Sequence, residues 1–160
     1  MLAKIENENL VYIYESIPVD IVLAASATMP EYKTVDAAGM DLVASKDTIL
    51  TAFKPEAVPT GIKIALPSGY EGQIRPRSGL SLQGVTVYNA PGTIDFGFTG
   101  EVKVILMYIS SDPTQKTYEI RKGDRIAQLV LSKCHRAKLN PVLFLAETER
   151  GESGFGSTGR

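Results

Sequence analysis

The chain is short of several residue types, and each shortage removes a class of function. It has one cysteine, Cys134, so no internal disulfide can form, and one histidine, His135. That pair cannot build a Cys/His zinc cluster, and a lone histidine reads as a strand-end residue rather than the base of a serine-histidine triad. The formal net charge is only −1, whereas proteins that grip a nucleic-acid polymer carry a basic excess. The longest clear apolar run, Val104–Ile109, falls far short of the roughly 20 residues that cross a bilayer. The opening M-L-A-K-I-E-N-E-N-L is too polar and acidic for a signal peptide. No G-x-x-x-x-G-K-[ST] phosphate loop is present. These absences lead to the expectation of an intracellular protein with no membrane or nucleic-acid partner, in which Cys134 is a small reduced core residue.

What is present fits a globular domain with a real core: 44% hydrophobic and 22% charged residues in a 160-residue chain. No segment of helical length carries a sustained i, i+3, i+4 apolar stripe. Short β-rich runs recur instead, at Ile17–Leu23, Gly61–Leu66, Gly72–Arg75, Val85–Val87, Gly100–Ile109, Lys116–Ile120 and Ile126–Leu131. Turn residues separate them, among them Pro67-Ser68-Gly69, Pro91-Gly92 and Lys122-Gly123-Asp124. The pattern predicts an all-β sandwich or barrel. One short helical turn is expected over Gly79–Gln83, with Ser78 as N-cap and Gly84 as stop. Residues 1–16 read as an extra leading segment that could add a strand, 17–149 as the β domain, and 150–160 as a separate tail.

That tail, R-G-E-S-G-F-G-S-T-G-R, holds four glycines and cannot keep a shape unaided. Ordering about eight residues costs on the order of 10 kcal/mol, more than local contacts return. Yet it carries a cation, Arg150, an aromatic, Phe155, and the hydroxyls of Ser157 and Thr158 beside Gly156. A ring stacks on a base, and such donors bind phosphate oxygens. The tail therefore reads either as plain disorder or as a segment that a nucleotide orders.

Four internal motifs are each ambiguous alone. In P-R-S-G-L, Arg77, Ser78 and Gly79 are either a capped turn or an anion site with a guanidinium beside it. In N-A-P-G-T-I-D-F-G-F-T-G-E, Asn89 to Glu101, a tight hairpin around Pro91-Gly92 would expose backbone groups to a base edge. Asp95 on its return limb is either a turn-closing residue or a general base. In A-A-G-M-D-L, Asp41 is a turn residue, an inter-strand partner or a holder of a metal's water shell. In G-D-R-I-A-Q-L-V, Gln128 is a structural amide or a phosphate donor, and it alternates with Ile126 and Val130 only if the strand is irregular.

Taken in order and spacing, these four motifs and the tail closely resemble the five signature motifs of the trimeric dUTPase family, from about Pro30 to the C-terminus. The resemblance implies a jelly-roll-like all-β subunit and a homotrimer whose sites each draw on three subunits. It also implies Mg²⁺-dependent hydrolysis of dUTP to dUMP and pyrophosphate by water attack on the α-phosphate. That activity keeps uracil out of DNA and supplies dUMP for dTMP synthesis. By the same resemblance Asp95 activates the water. Asn89 and the backbone near Gly92 and Ile94 read uracil, and Phe98 lies under the deoxyribose. Arg77, Ser78, Gly79 and Gln128 contact phosphates, and Asp41 reaches the metal through water. In the tail, Arg150, Ser157 and Thr158 match γ-phosphate contacts, Phe155 matches the ring over uracil, and Gly156 belongs to the same binding motif. Met40, Gly97, Thr99 and Ser153 depart from the family's usual residues without removing any of these groups.

A triphosphate carries about four negative charges, more than two arginines neutralise, which fits a bridging Mg²⁺. Two rival readings remain at this level. A dCTP deaminase is expected to share the fold but to carry Arg-Ser-Ser where this chain has Arg77-Ser78-Gly79. A regulatory protein could use the same trimer, with residues 1–16, to engage a protein partner.

Overall fold

The computed structural model describes residues 16–154, together with the backbone of two strands before them. Those two, β1 (Leu2–Glu6) and β2 (Asn9–Ile13), pair antiparallel from Leu2↔Ile13 to Glu6↔Asn9. The leading segment is thus a hairpin with its own two-stranded sheet, where one added strand was expected.

The remaining strands are β3 (Asp20–Leu23), β4 (Met40–Val43), β5 (Thr48–Thr51), β6 (Glu56–Ala65), β7 (Tyr70–Arg75), β8 (Val85–Val87), β9 (Gly92–Ile94), β10 (Glu101–Tyr108), β11 (Thr117–Ile120) and β12 (Arg125–Lys133). They form two four-stranded sheets, β3-β6-β10-β8 and β4-β12-β7-β9, and a two-stranded sheet β11-β5. All ladders are antiparallel. This is the nearly all-β domain that the spacing of short strands predicts, in the jelly-roll-like form that the family resemblance implies.

Period-2 alternation builds the core. On β6, Val58, Thr60, Ile62 and Ile64 point inward; on β10, Val102, Val104, Leu106 and Tyr108 do the same. Leu42, Ile74, Ile94, Ile126 and Leu129 from the other large sheet join them in one cluster. Full burial of such aliphatic side chains is worth about 1.5–3 kcal/mol each, so the sandwich needs neither a disulfide nor a metal. Among the described residues no helix is long and apolar enough to cross a membrane.

The one helix, α1 (Ser78–Ser81), starts a residue earlier than the sequence suggests. Arg77 holds the N-cap position, and no side chain caps the helix. The carbonyl of Arg77 accepts from the N–H groups of Leu80 and Ser81, while its guanidinium is drawn elsewhere, to Asp41. Ser78 is therefore the first helical residue and not the cap. Gly84 ends the turn at φ +80, in the left-handed region. A Cβ there would run into the carbonyl oxygen of Ile109, whose N–H donates to the Gly84 carbonyl at 2.7 Å.

Gly84→Ala should therefore cost about 2 kcal/mol or more, combining the left-handed penalty with the clash. That lowers Tm by roughly 4–8 °C in a chain of this size. Gly97, with nothing within 4 Å of an added Cβ, supplies the control. Thermal unfolding of Gly84→Ala no different from Gly97→Ala would contradict this account of the turn.

Cys134 corrects an expectation. It is a free thiol and exposed, one residue past the end of β12. Only its backbone is tied down, through an N–H bond to the Gly69 carbonyl. The apolar alternation of β12 fades there as the chain leaves the sheet, so the side chain has no core to enter.

Candidate functional site

Three neighbouring strands assemble a charged cluster from distant parts of the chain. Asp41 on β4 stands opposite Gln128 on β12, and Gln128 stands opposite Arg75 on β7. The pairing shifts between Arg125 and Ala127, a bulge that puts two β12 residues against one on β4. That irregularity is the one Gln128 required to share a strand with Ile126.

Asp41 is only 4% exposed, yet its carboxylate is fully engaged. Arg77 donates from Nε to Oδ1 at 3.1 Å, and Arg125 donates from Nη1 to Oδ2 at 3.1 Å. Gln128 Nε2 lies 3.4 Å from Oδ1. Arg77 also donates from Nη1 to the Arg125 carbonyl at 3.0 Å. Burying a lone carboxylate costs several kcal/mol, and the two guanidiniums offset that cost. One carboxylate and two guanidiniums leave the cluster with one net positive charge. The arrangement makes Asp41 an inter-strand partner, with neither oxygen free of a donor. Gln128, expected to face phosphate, is turned toward Asp41.

Among the described residues no group of three or more His, Cys, Asp and Glu could hold a metal ion. The donor set, a single buried carboxylate held by two guanidiniums, could reach a cation only through water. It does not fit an ion caged by the protein. A cavity of about 330 Å³ opens beside the cluster, lined by Thr28, Glu31, Lys33, Asp41, Gly123 and Arg125 among others. Ser78 and Gly79 follow Arg77 on the exposed first turn of α1, and no side chain crowds Gly79.

The second group of predicted residues lies on the loop from β8 into β9 and beyond. The expected tight hairpin is not a ladder. β8 pairs with β10 and β9 pairs with β7, so Tyr88–Pro91 cross from one large sheet to the other. β9 is the outer strand of its sheet, which leaves one side of its backbone without a strand partner. The open edge of β9 runs beside Gly92 and Ile94, the residues expected at the base-reading hairpin. The Ile94 side chain is in the core. Asn89 folds over Gly92: a Cβ on Gly92 would lie 3.2 Å from the Asn89 Nδ2.

Asp95 follows β9 and is exposed, and its carbonyl accepts from the Phe98 N–H at 3.0 Å. Among the described residues its carboxylate has no hydrogen-bond or ion-pair partner. Phe98 is 43% exposed. Its ring sits over Gly100, where an added Cβ would come within 2.8 Å of Cζ. Gly100 is a residue that the sequence reading missed. The turn signal was visible; the need for space under the ring was not.

The two groups do not meet within one chain. Ile94 stands opposite Gly72 on β7, and Arg75 stands opposite Gln128 and thence Asp41. Asp95 and Asp41 are therefore four residues apart along the strands and three strands apart across them. At about 3.3 Å per residue and 4.8 Å per strand, the separation is roughly 20 Å. The Arg77 guanidinium sits at Asp41, so it is just as far from Asp95.

Among the described residues beyond Lys133 there is no strand, and the segment after it presents Leu139, Val142, Leu143, Phe144 and Leu145 to solvent, Leu143 at 99% exposure. Four consecutive apolar side chains left open in this way mark an interaction segment. Arg150 donates from Nε to the Ser153 carbonyl at 2.9 Å within an exposed turn. Phe155, Gly156, Ser157 and Thr158 lie outside the described residues.

The dUTPase family model matches residues 25–159. A deoxyuridine 5'-triphosphate nucleotidohydrolase of Wolbachia pipientis (subsp. Culex pipiens) is 48% identical over 140 residues, covering 84% of this chain and 89% of that protein. One of the same name from Zymomonas mobilis is 46% identical over 136 residues, at 84% and 90% coverage. The dUTPase of Staphylococcus bacteriophage 80alpha, solved with dUpNHpp, superimposes at a TM-score of 0.82 with 27% identity over 91% of this chain and 100% of that one. The match spans the cluster around Asp41, the β8–β9 crossing and the tail alike, and the chain belongs to the dUTPase family.

Proposed function

We infer that the protein is a homotrimeric, Mg²⁺-dependent dUTP diphosphatase that releases dUMP and pyrophosphate from sites shared between subunits. The observation that carries this reading is the roughly 20 Å between Asp95 and the Arg77–Asp41 cluster. A base and a phosphate grip that far apart cannot serve one triphosphate from one chain, so a second copy must supply one of them. The apolar Val142–Leu145 segment, open in a lone subunit, is the kind of surface that a neighbouring copy covers.

In this reading the edge of β9 and Asn89 take the uracil, and Phe98 lies beneath the deoxyribose, where its ring leaves no room for a 2′-hydroxyl. Arg77, Ser78, Gly79 and Gln128 of another subunit bind the phosphates. Mg²⁺, when bound, would offset part of the triphosphate charge, and Asp41 could reach it only through water. Among the related structures, a dUTPase of phage phi11 of S. aureus is described with a structural Mg(II) ion. Asp95 orients a water toward the α-phosphorus and takes its proton as the phosphorus–oxygen bond to pyrophosphate breaks. The tail closes last, with Arg150, Ser157 and Thr158 toward the γ-phosphate and Phe155 over the base. A free, exposed Cys134 fits a reducing intracellular compartment.

The test is pyrophosphate release from dUTP, dTTP, dCTP and UTP. Uracil offers N3–H as donor and O4 as acceptor, and cytosine reverses both, so kcat/KM for dUTP should exceed that for dCTP by about 10⁴–10⁵. Comparable rates on dUTP and dCTP would overturn the reading, and ammonia from dCTP would replace it with a deaminase.

A further inference from the structure

Arg125 is assigned no part in the chemistry by the reading above, yet the cluster is built through it. Its backbone carbonyl accepts from Arg77 Nη1, and its own guanidinium takes Asp41 Oδ2. Asp41 in turn takes Arg77 Nε on Oδ1. The Arg77 guanidinium is thus held on two opposite edges, at Nε and at Nη1, by acceptors that Arg125 and Asp41 fix relative to each other. Among the described residues Nη2 makes no hydrogen bond, so its N–H groups and the second N–H of Nη1 remain available, and the Arg77 side chain keeps 24% of its surface open. Two parallel N–H groups of this kind form the fork that takes two oxygens of a phosphate.

Resting on the proposed dUTPase reading, we propose that Asp41 and Arg125 are positioning residues that hold the Arg77 fork in register for the triphosphate. Asp41 acts through the guanidiniums and not through the metal's waters. Both its oxygens are already engaged by arginine donors, and at 4% exposure it has little surface to offer an aqua ion. Arginine carries its five donors in a rigid fork on a flexible stem, so it loses less freedom on binding when that stem is already fixed.

Calorimetric binding of dUpNHpp separates the two roles for Asp41, because it can be run with Mg²⁺ and with a chelator. Asp41→Asn should weaken binding about 10- to 100-fold in both buffers, the range of charge-assisted hydrogen bonds. In an Arg77→Ala background, Asp41→Asn should add little. Arg125→Gln should cost several-fold in both buffers, and Arg125→Lys, which keeps the charge on Asp41, should recover part of that. A loss confined to the Mg²⁺ buffer would make Asp41 a metal-shell residue and overturn the proposal, as would full additivity with Arg77→Ala. If Asp41→Asn does not fold, Arg125→Gln decides: unchanged binding in both buffers overturns it. Failure of the parent protein to bind dUpNHpp at all would instead sink the dUTPase reading.

Discussion

Asp95→Asn is expected to lower turnover on dUTP by about 10²–10⁴-fold, the usual contribution of a general base, while binding of dUpNHpp stays near that of the parent. The side chain is exposed and, among the described residues, makes no hydrogen bond or ion pair, so the substitution removes no structural contact. Its stability should stay within about 0.5 kcal/mol of the parent, which rules out unfolding as the source of the loss. The amide keeps the size of the carboxylate and can still align a water by hydrogen bonding. What it cannot do is accept the water's proton. The loss should therefore fall on kcat and leave affinity untouched, and the two are separable by single-turnover rates alongside calorimetry. Turnover within a few-fold of the parent would remove Asp95 from the chemistry.

The residues proposed to grip phosphate should behave differently because they are bound into the structure. Asp41 joins Arg77 and Arg125 across strands whose residues lie 36 and 84 positions away in sequence. Asp41 is the buried member, and losing either guanidinium weakens the compensation of its charge, so substitutions here should change binding and stability together. At Asp95 the two effects should come apart.

That contrast also marks what the sequence could reveal. Val85–Val87 appears with the same bounds in both readings, because Gly84 closes it on one side and the Asn89-Ala90-Pro91 crossing on the other. The core strands β6, β10 and β12 are legible from β-branched alternation, although β6 begins earlier, at Glu56, β10 is a residue shorter at each end than its run, and β12 extends past its run on both sides. β4 is not legible: it is four residues long with a buried carboxylate in second place, and the arginines that make that burial affordable come from far away in the chain. β9 hides in the same way, since a Gly-Thr-Ile triplet gives no period. Ile17–Leu23 shrinks to Asp20–Leu23 because Pro18 has no N–H to give a ladder.

At the site, the motifs locate the chemistry-bearing residues but not their partners. Gln128 is legible as an oddity of its strand, and the bulge explains the oddity. Arg125 sits two residues before the bulge is complete, and nothing local distinguishes it from a solvated strand-edge arginine. Ser78 reads as a helix cap by its residue type, but Arg77 occupies the capping position with its side chain committed to Asp41. The separation between Asp95 and the Arg77 cluster depends on the order β4-β12-β7-β9. Sheet order is set by long-range pairing, so it is absent from any local pattern.

The central claim is that base and phosphate grip come from different subunits. Mixing two inactive variants tests it most directly. Asp95→Asn keeps Arg77 intact, and Arg77→Ala keeps Asp95 intact. Each alone should be nearly dead. The two are unfolded mildly and refolded together in equal amounts, so that subunits exchange at random within closed threefold rings. If a site takes Asp95 from one subunit and Arg77 from another, the chance that both are intact is one-half times one-half. Activity should return to roughly a quarter of the parent's. If one subunit supplied both groups, no mixed trimer would hold an intact site. Activity that stays at the level of the separate variants, with mixed trimers confirmed by mass, would contradict the shared site.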